Sequence, residues 1–155
     1  MLNNILVGSW KLVSYEALSS DGKVSYPLGP DALGYIIYTQ DGYMSVAMMS
    51  ANRLGYASGD ILDGTDEEKI ASASSYVAYC GRYELQDDKV VHHVEVAFCP
   101  NRNNTSQERF IKICHDSLVL TTPPMLINGI VSTGRLVWVR VPNPDKPKTL
   151  SYEKK

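Results

Sequence analysis

His92 and His93 stand side by side in the stretch Tyr79 to Phe98 and are the first candidates for chemistry in this 155-residue chain. Imidazole titrates near neutrality, so a histidine in a cavity can serve as acid, base or metal ligand. Neighbours on an extended strand point to opposite faces, so these two rings cannot share one metal ion. Cys114-His115 meets the same objection, and no third ligand stands at a useful spacing. No metal site and no cofactor is expected. Val90, His92, Val94, Val96 and Phe98 share one face, apolar apart from His92; Val91, His93, Glu95 and Ala97 share the other. Burial logic turns the first set inward and makes His92 the titratable group of an apolar wall. The opposite register would place Glu95 beside an inward His93, where it could orient a base but would bury a carboxylate.

Arg109 is the second candidate. In Gln107–Cys114 the charges of Glu108 and Lys112 fall on one face and Gln107, Arg109, Ile111 and Ile113 on the other, so Gln107 and Arg109 point inward. A buried guanidinium needs a carboxylate or several carbonyls. Glu95 or Glu16 could supply the carboxylate; an acidic or carbonyl-bearing ligand group is the alternative. Tyr83 lies on a face with Tyr79, Gly81 and Leu85, opposite Arg82 and Glu84, and its hydroxyl is a candidate cavity donor. Met44 and Met48 add soft, adaptable surface. No Gly-x-Ser-x-Gly elbow and no phosphate loop is present.

The elements that must position these groups are mostly strands. Ser9–Ala17, Gly34–Thr39, Tyr43–Met49, Tyr79–Leu85, Val90–Phe98, Gln107–Cys114, Leu118–Thr122 and Val131–Val141 alternate or are rich in β-branched and aromatic residues. Asp41-Gly42 and Asn128-Gly129 are turn signals. Tyr26-Pro27-Leu28-Gly29-Pro30 reads as an ordered connector. One helix is expected near 66–77: Thr65 with Glu68 forms a capping box, and Ile70, Ala73 and Val77 share a face. Arg53 and Tyr56, in the loop before it, are candidate gate residues. Eight strands with short connections favour antiparallel up-and-down pairing, and such a set can close into a barrel around one small ligand. An open β-sandwich has an equal claim from strand count alone.

Composition bounds the rest. Residues 1–141 fit a single domain, and 142–155, rich in Pro and Lys, read as a loose tail. A net charge of −2 leaves no basic excess for nucleic acid. No stretch is apolar enough for membrane insertion. Three cysteines outside any CxxC motif and a start without a basic leader point to a reduced, cytoplasmic protein. Ten tyrosines against two phenylalanines suit a half-polar cavity.

Gly8-Ser9-Trp10 at the first strand and Arg140 at the end of the last resemble the closure signature of calycin barrels. If those strands pair antiparallel, indole and guanidinium meet and stack. SWKLVSYE, YPLG, GYIIYTQDGYMSV, YCGRYE, VVHHVEVAFCPN, Gln107-x-Arg109, L-x-L-x-TPPM and LVW-x-R together resemble the bacterial and fungal lipocalin-like domain family over roughly residues 5–141. The chain departs from that pattern at Pro100-Asn101-Arg102-Asn103-Asn104, where the family usually has Pro-Asn-Trp-x-Gly. The resemblance implies an all-β, eight-stranded antiparallel barrel that binds a small hydrophobic molecule, in some relatives within secondary metabolism. The expected ligand set is Tyr83, His92, Gln107, Arg109, Met44 and Met48, holding a largely apolar molecule with a polar group. The alternative is a cofactor-free isomerase or cyclase using His92 or Tyr83 as acid/base and Arg109 as a clamp on a carbonyl. A homodimer is a further option.

Overall fold

The strand signals convert into one closed sheet. The computed structural model describes residues 5–143 and 145, so most of the 142–155 tail lies outside the described residues. Eight long strands form the wall: β1 (Gly8–Ser19), β3 (Leu33–Tyr38), β4 (Tyr43–Met49), β5 (Tyr76–Gln86), β6 (Lys89–Ala97), β7 (Ser106–Cys114), β8 (Ser117–Thr121) and β10 (Ile130–Arg140). Two short pieces, β2 (Val24–Ser25) and β9 (Met125–Ile127), extend the ends of β1 and β10 at one rim. Every pairing is antiparallel, and β1 pairs with β10 from Trp10↔Arg140 to Ser19↔Ser132. That last pairing makes the sheet a barrel and removes the sandwich alternative.

The closed end is built as the sequence pattern implied. Trp10 is fully buried, and the Arg140 guanidinium lies 4.1 Å from its ring centroid. Arg140 Nη1 donates to the Val7 carbonyl at 2.9 Å and Nη2 to that of Ile5 at 3.0 Å, while Asp116 sits 3.7 Å from Nε. Trp10 Nε1 donates to the Leu6 carbonyl at 2.9 Å. Cation, ring and chain end lock together over the base of the core.

Two bulges decide which residues look inward. On β6, Cys80 pairs with Val96 but Gly81 pairs with Val94, so Glu95 is the extra residue. A Cβ on Gly81 would lie 2.0 Å from the His93 carbonyl oxygen, so the close approach of β6 there requires glycine. The alternation that turns Val90, His92 and Val94 inward therefore breaks. Val96 and Phe98, expected inside, are 65% and 48% exposed, and Ala97 packs against the core instead. On β1 the extra residue is Val13, after which Tyr15 and Ala17 take the inward positions.

The helix is shorter than its periodicity suggests. Its box is complete: Thr65 Oγ1 accepts from the Glu68 N–H, and Glu68 Oε1 accepts from the Thr65 N–H. It spans Asp66–Ser74 (α1) and buries no residue, with Ile70 66% exposed. Val77, expected on the helix face, pairs with Met48 in β5. A β-branched residue next to Tyr76 gains more from completing a ladder than from one further helical turn.

Candidate functional site

The barrel interior is apolar at its core and polar towards the rim that the loops surround. Ile36, Val46, Leu120, Leu136 and Trp138 line a cavity from β3, β4, β8 and β10. Met48, Val77 and Met125 line it as well, and its polar groups are Tyr15, Tyr79, His92, Thr122, Arg102 and Arg109. Counted as space for the centres of water molecules, the cavity volume is about 30 Å³. That is room for roughly two waters, so a ring-sized guest must displace side chains. Met48, Met125 and Arg102 are the long, flexible ones among the lining.

His92 is 1% exposed and bonded at both nitrogens: Tyr38 Oη lies 2.7 Å from Nε2 and Tyr79 Oη 2.8 Å from Nδ1. A neutral imidazole donates from one nitrogen and accepts at the other, so one tyrosine gives a hydrogen bond and the other receives one. Burial, reinforced by the charges of Arg109, Arg102 and His93, lowers the His92 pKa to about 3. The ring is therefore a neutral strut that orients two phenols. Burial also holds the Tyr38 hydroxyl well above its ordinary range. It raises Tyr15 too, partly offset by Arg102 and Arg109. His93 points away from the cavity, towards Ser106 and Glu84.

Arg109 is 6% exposed, and its Nη1 donates to the Glu108 carbonyl at 2.7 Å. Neither carboxylate expected to pair with it does so. Glu95 is exposed at the bulge, and Glu16 sits opposite Arg135 across the β1–β10 ladder. Among the described residues Arg109 and Arg102 form no ion pair, and no Asp or Glu lines the cavity. Arg102, from the short 3₁₀ turn Pro100–Arg102, lies 5.3 Å from the Tyr79 ring centroid.

Of the ligand set read from sequence, the fold brings His92, Arg109 and Met48 to the cavity. Tyr83 is on the inward face, but its hydroxyl donates to the Thr39 carbonyl at 2.6 Å, near the closed end. Met44 is buried in the core below the cavity lining. Gln107 donates to Thr105 Oγ1 at 2.9 Å and lines an adjoining groove with Val91, Pro123 and Pro124, which shares Arg109 and Met125 with the cavity. Arg53 and Tyr56 line a separate surface pocket beside α1, away from the barrel cavity. Tyr15, Tyr79 and Arg102 were missed. The signals were present: Tyr79 shares its strand face with Tyr83, Tyr15 follows the bulge on β1, and Arg102 occupies the position where the family pattern usually has its tryptophan. Among the described residues no cluster of three or more His, Cys, Asp or Glu is placed to hold a metal, and no helix is long and apolar enough to cross a membrane.

Comparison with known proteins follows the same outline. The sequence model of the lipocalin-like domain matches residues 7–141. The 4'-hydroxy-3'-methoxypropiophenone carrier protein of Aspergillus oryzae is 34% identical over 108 residues, 64% of this chain and 97% of that protein. Among solved structures, a lipocalin-like protein from Bacteroides uniformis aligns over 88% of this chain and 98% of its own, with 12% identity and a TM-score of 0.47. An uncharacterised protein from Bacteroides eggerthii covers 88% and 99%, with 14% identity and a TM-score of 0.45.

Proposed function

The chain belongs to the lipocalin-like domain family, and on that premise we propose that its barrel carries a small, largely hydrophobic molecule with one polar end. The observation that supports this reading is the composition of the cavity. Apolar walls from six strands meet a polar cluster of Tyr15, Tyr79, Arg102 and Arg109. Such a lining favours an amphipathic guest, with shape complementarity for its ring and a few placed donors for its polar group. His92, Arg109 and Met48 remain proposed contacts, joined by Tyr79, Tyr15 and Arg102. The relative named for carrying an aryl ketone supports an aromatic cargo with an acceptor oxygen, in a secondary-metabolic setting. A cytoplasmic setting fits the three free cysteines.

Trp138 lines the cavity, so its fluorescence reports occupancy. Titration with 4'-hydroxypropiophenone should give saturable quenching with a Kd on the order of micromolar. Val77→Trp, which fills the half-buried mouth, should abolish it in a folded protein. Absence of saturable binding in the wild type, or undiminished binding in Val77→Trp, rejects the carrier reading.

One observation favours turnover as a second reading: the Tyr79–His92–Tyr38 chain could relay a proton to a bound carbonyl. In that case the isomerase or cyclase acid is Tyr79, because both His92 nitrogens are engaged. Tyr79→Phe would then retain binding and lose rate. Recovery of every bound guest unchanged by mass spectrometry excludes this reading.

A further inference from the structure

Two cations line the cavity, and among the described residues neither has a counter-charge. Arg109 enters from β7, and a guanidinium carries five N–H donors, of which the Glu108 carbonyl takes one. Among the described residues the only fully buried side-chain polar atom without a partner is Trp138 Nε1. The other Arg109 nitrogens therefore keep accessible surface, although the residue as a whole is buried; the side chain lines both the cavity and the adjoining groove beside Pro123 and Pro124. Arg102 reaches the same space from the 3₁₀ turn. Other arginines of the barrel are handled differently: Arg140 has two carbonyls and Asp116, and Arg82 has the Tyr43 hydroxyl.

Placing two positive charges in a wall of low polarizability without a carboxylate is costly unless something else supplies negative charge. His92 is neutral and adds no cation, and burial raises the Tyr15 and Tyr38 hydroxyls. The site is thus an uncompensated pair of donors beside an apolar hollow.

We propose that the cavity selects an organic acid in its ionised form, an aromatic or unsaturated molecule whose carboxylate or phenolate is held between Arg109 and Arg102. This rests on the small-molecule carrier reading and narrows it, since a neutral ketone would leave the two charges unmatched. A carboxylate can take two parallel hydrogen bonds from Arg109, the strongest geometry available to a guanidinium. Arg102, lying over Tyr79, closes behind the guest.

Matched probes test it. Binding of cinnamate, methyl cinnamate, 4'-hydroxypropiophenone and its methyl ether is measured at pH 8 by calorimetry, for wild type, Arg109→Gln, Arg109→Lys and Arg102→Gln, each checked for folding by circular dichroism. The inference expects an acid to bind about 30-fold more tightly than its neutral ether or ester. Arg109→Gln should reduce that advantage to about threefold or less, while Arg109→Lys retains more of it. The carboxylate and phenol arms separate the two acid types. If both members of each pair bind equally, the guest is neutral: this inference fails and the carrier reading stands. If none of the four binds, the carrier reading fails and this inference falls with it.

Discussion

Arg140 and Arg109 sit at the two ends of one barrel and do opposite things. At the closed end Arg140 stacks on Trp10, donates to two carbonyls and lies near Asp116. A carboxylate lies near its charge and both Nη atoms are engaged, so it acts as a structural bolt. Towards the mouth Arg109 is more deeply buried, yet it has one backbone carbonyl and no carboxylate. The same side chain is a fastener where the protein supplies its partners, and its proposed role is that of a receptor where the protein supplies one carbonyl. Burial alone does not mark a functional arginine; burial with unfilled donors is what makes Arg109 the candidate. Between them His92, a neutral ring bonded to both Tyr38 and Tyr79, separates the bolted base from the charged end of the cavity.

Removing the base should have the largest effect. Trp10→Ala deletes a fully buried indole and is expected to cost about 3–5 kcal/mol, read from urea denaturation. A loss below about 1 kcal/mol would mean the closure contributes little. Next comes the direct contrast. Arg140→Met should destabilise by about 2 kcal/mol, because it leaves the Val7 and Ile5 carbonyls without their donors. Arg109→Met should leave stability within about 1 kcal/mol or raise it, since an unmatched buried charge is replaced by an apolar chain. Equal losses from the two substitutions would erase the distinction drawn between the ends.

A third test probes the middle layer through pH. The folded His92 pKa is about 3, below the ordinary value of 6.5, so the unfolded chain binds the proton more readily. Stability contributed by the neutral ring is complete above pH 6.5 and declines as pH falls towards 3. Between pH 6.5 and 5, where few carboxylates titrate, the loss should be about 1.5 kcal/mol. His92→Gln should flatten that slope in denaturation curves. An unchanged slope would mean that the ring is not held as a buried neutral base.

Much of the fold was legible before any coordinates. Asn128-Gly129 adopts positive φ at both residues, 50° and 78°, the geometry that makes this dipeptide a hairpin signal. Period-two patterns set the eight wall strands, and the first and last met as Gly8-Ser9-Trp10 and Arg140 implied. The pattern failed at Glu95, because a one-residue bulge inverts every later side chain and leaves no mark in hydrophobicity. Gly81, a glycine inside an otherwise aromatic strand, was the clue to it. The site was half legible for the same reason. His92 and Arg109 could be assigned inward by the company they keep on their own strands. Tyr83, Gln107 and Met44 belong to inward or adjacent positions, but height along the barrel decides what a side chain meets, and height is set by pairing register with other strands.

The sequence by itself determined antiparallel strands, their turns and a capped helix, because alternation, turn chemistry and capping act over a few residues and read locally; the barrel and its sealing pair came from the resemblance carried by Gly8-Ser9-Trp10 and Arg140. Only the tertiary structure decided that His92 is tied between two phenols, that Glu95 and Glu16 stay away from Arg109, and that Arg102 arrives from a distant turn to stand beside it. Those outcomes depend on which strands lie side by side and at what offset. Charge balance inside a cavity is a property of the assembled wall and of no single segment.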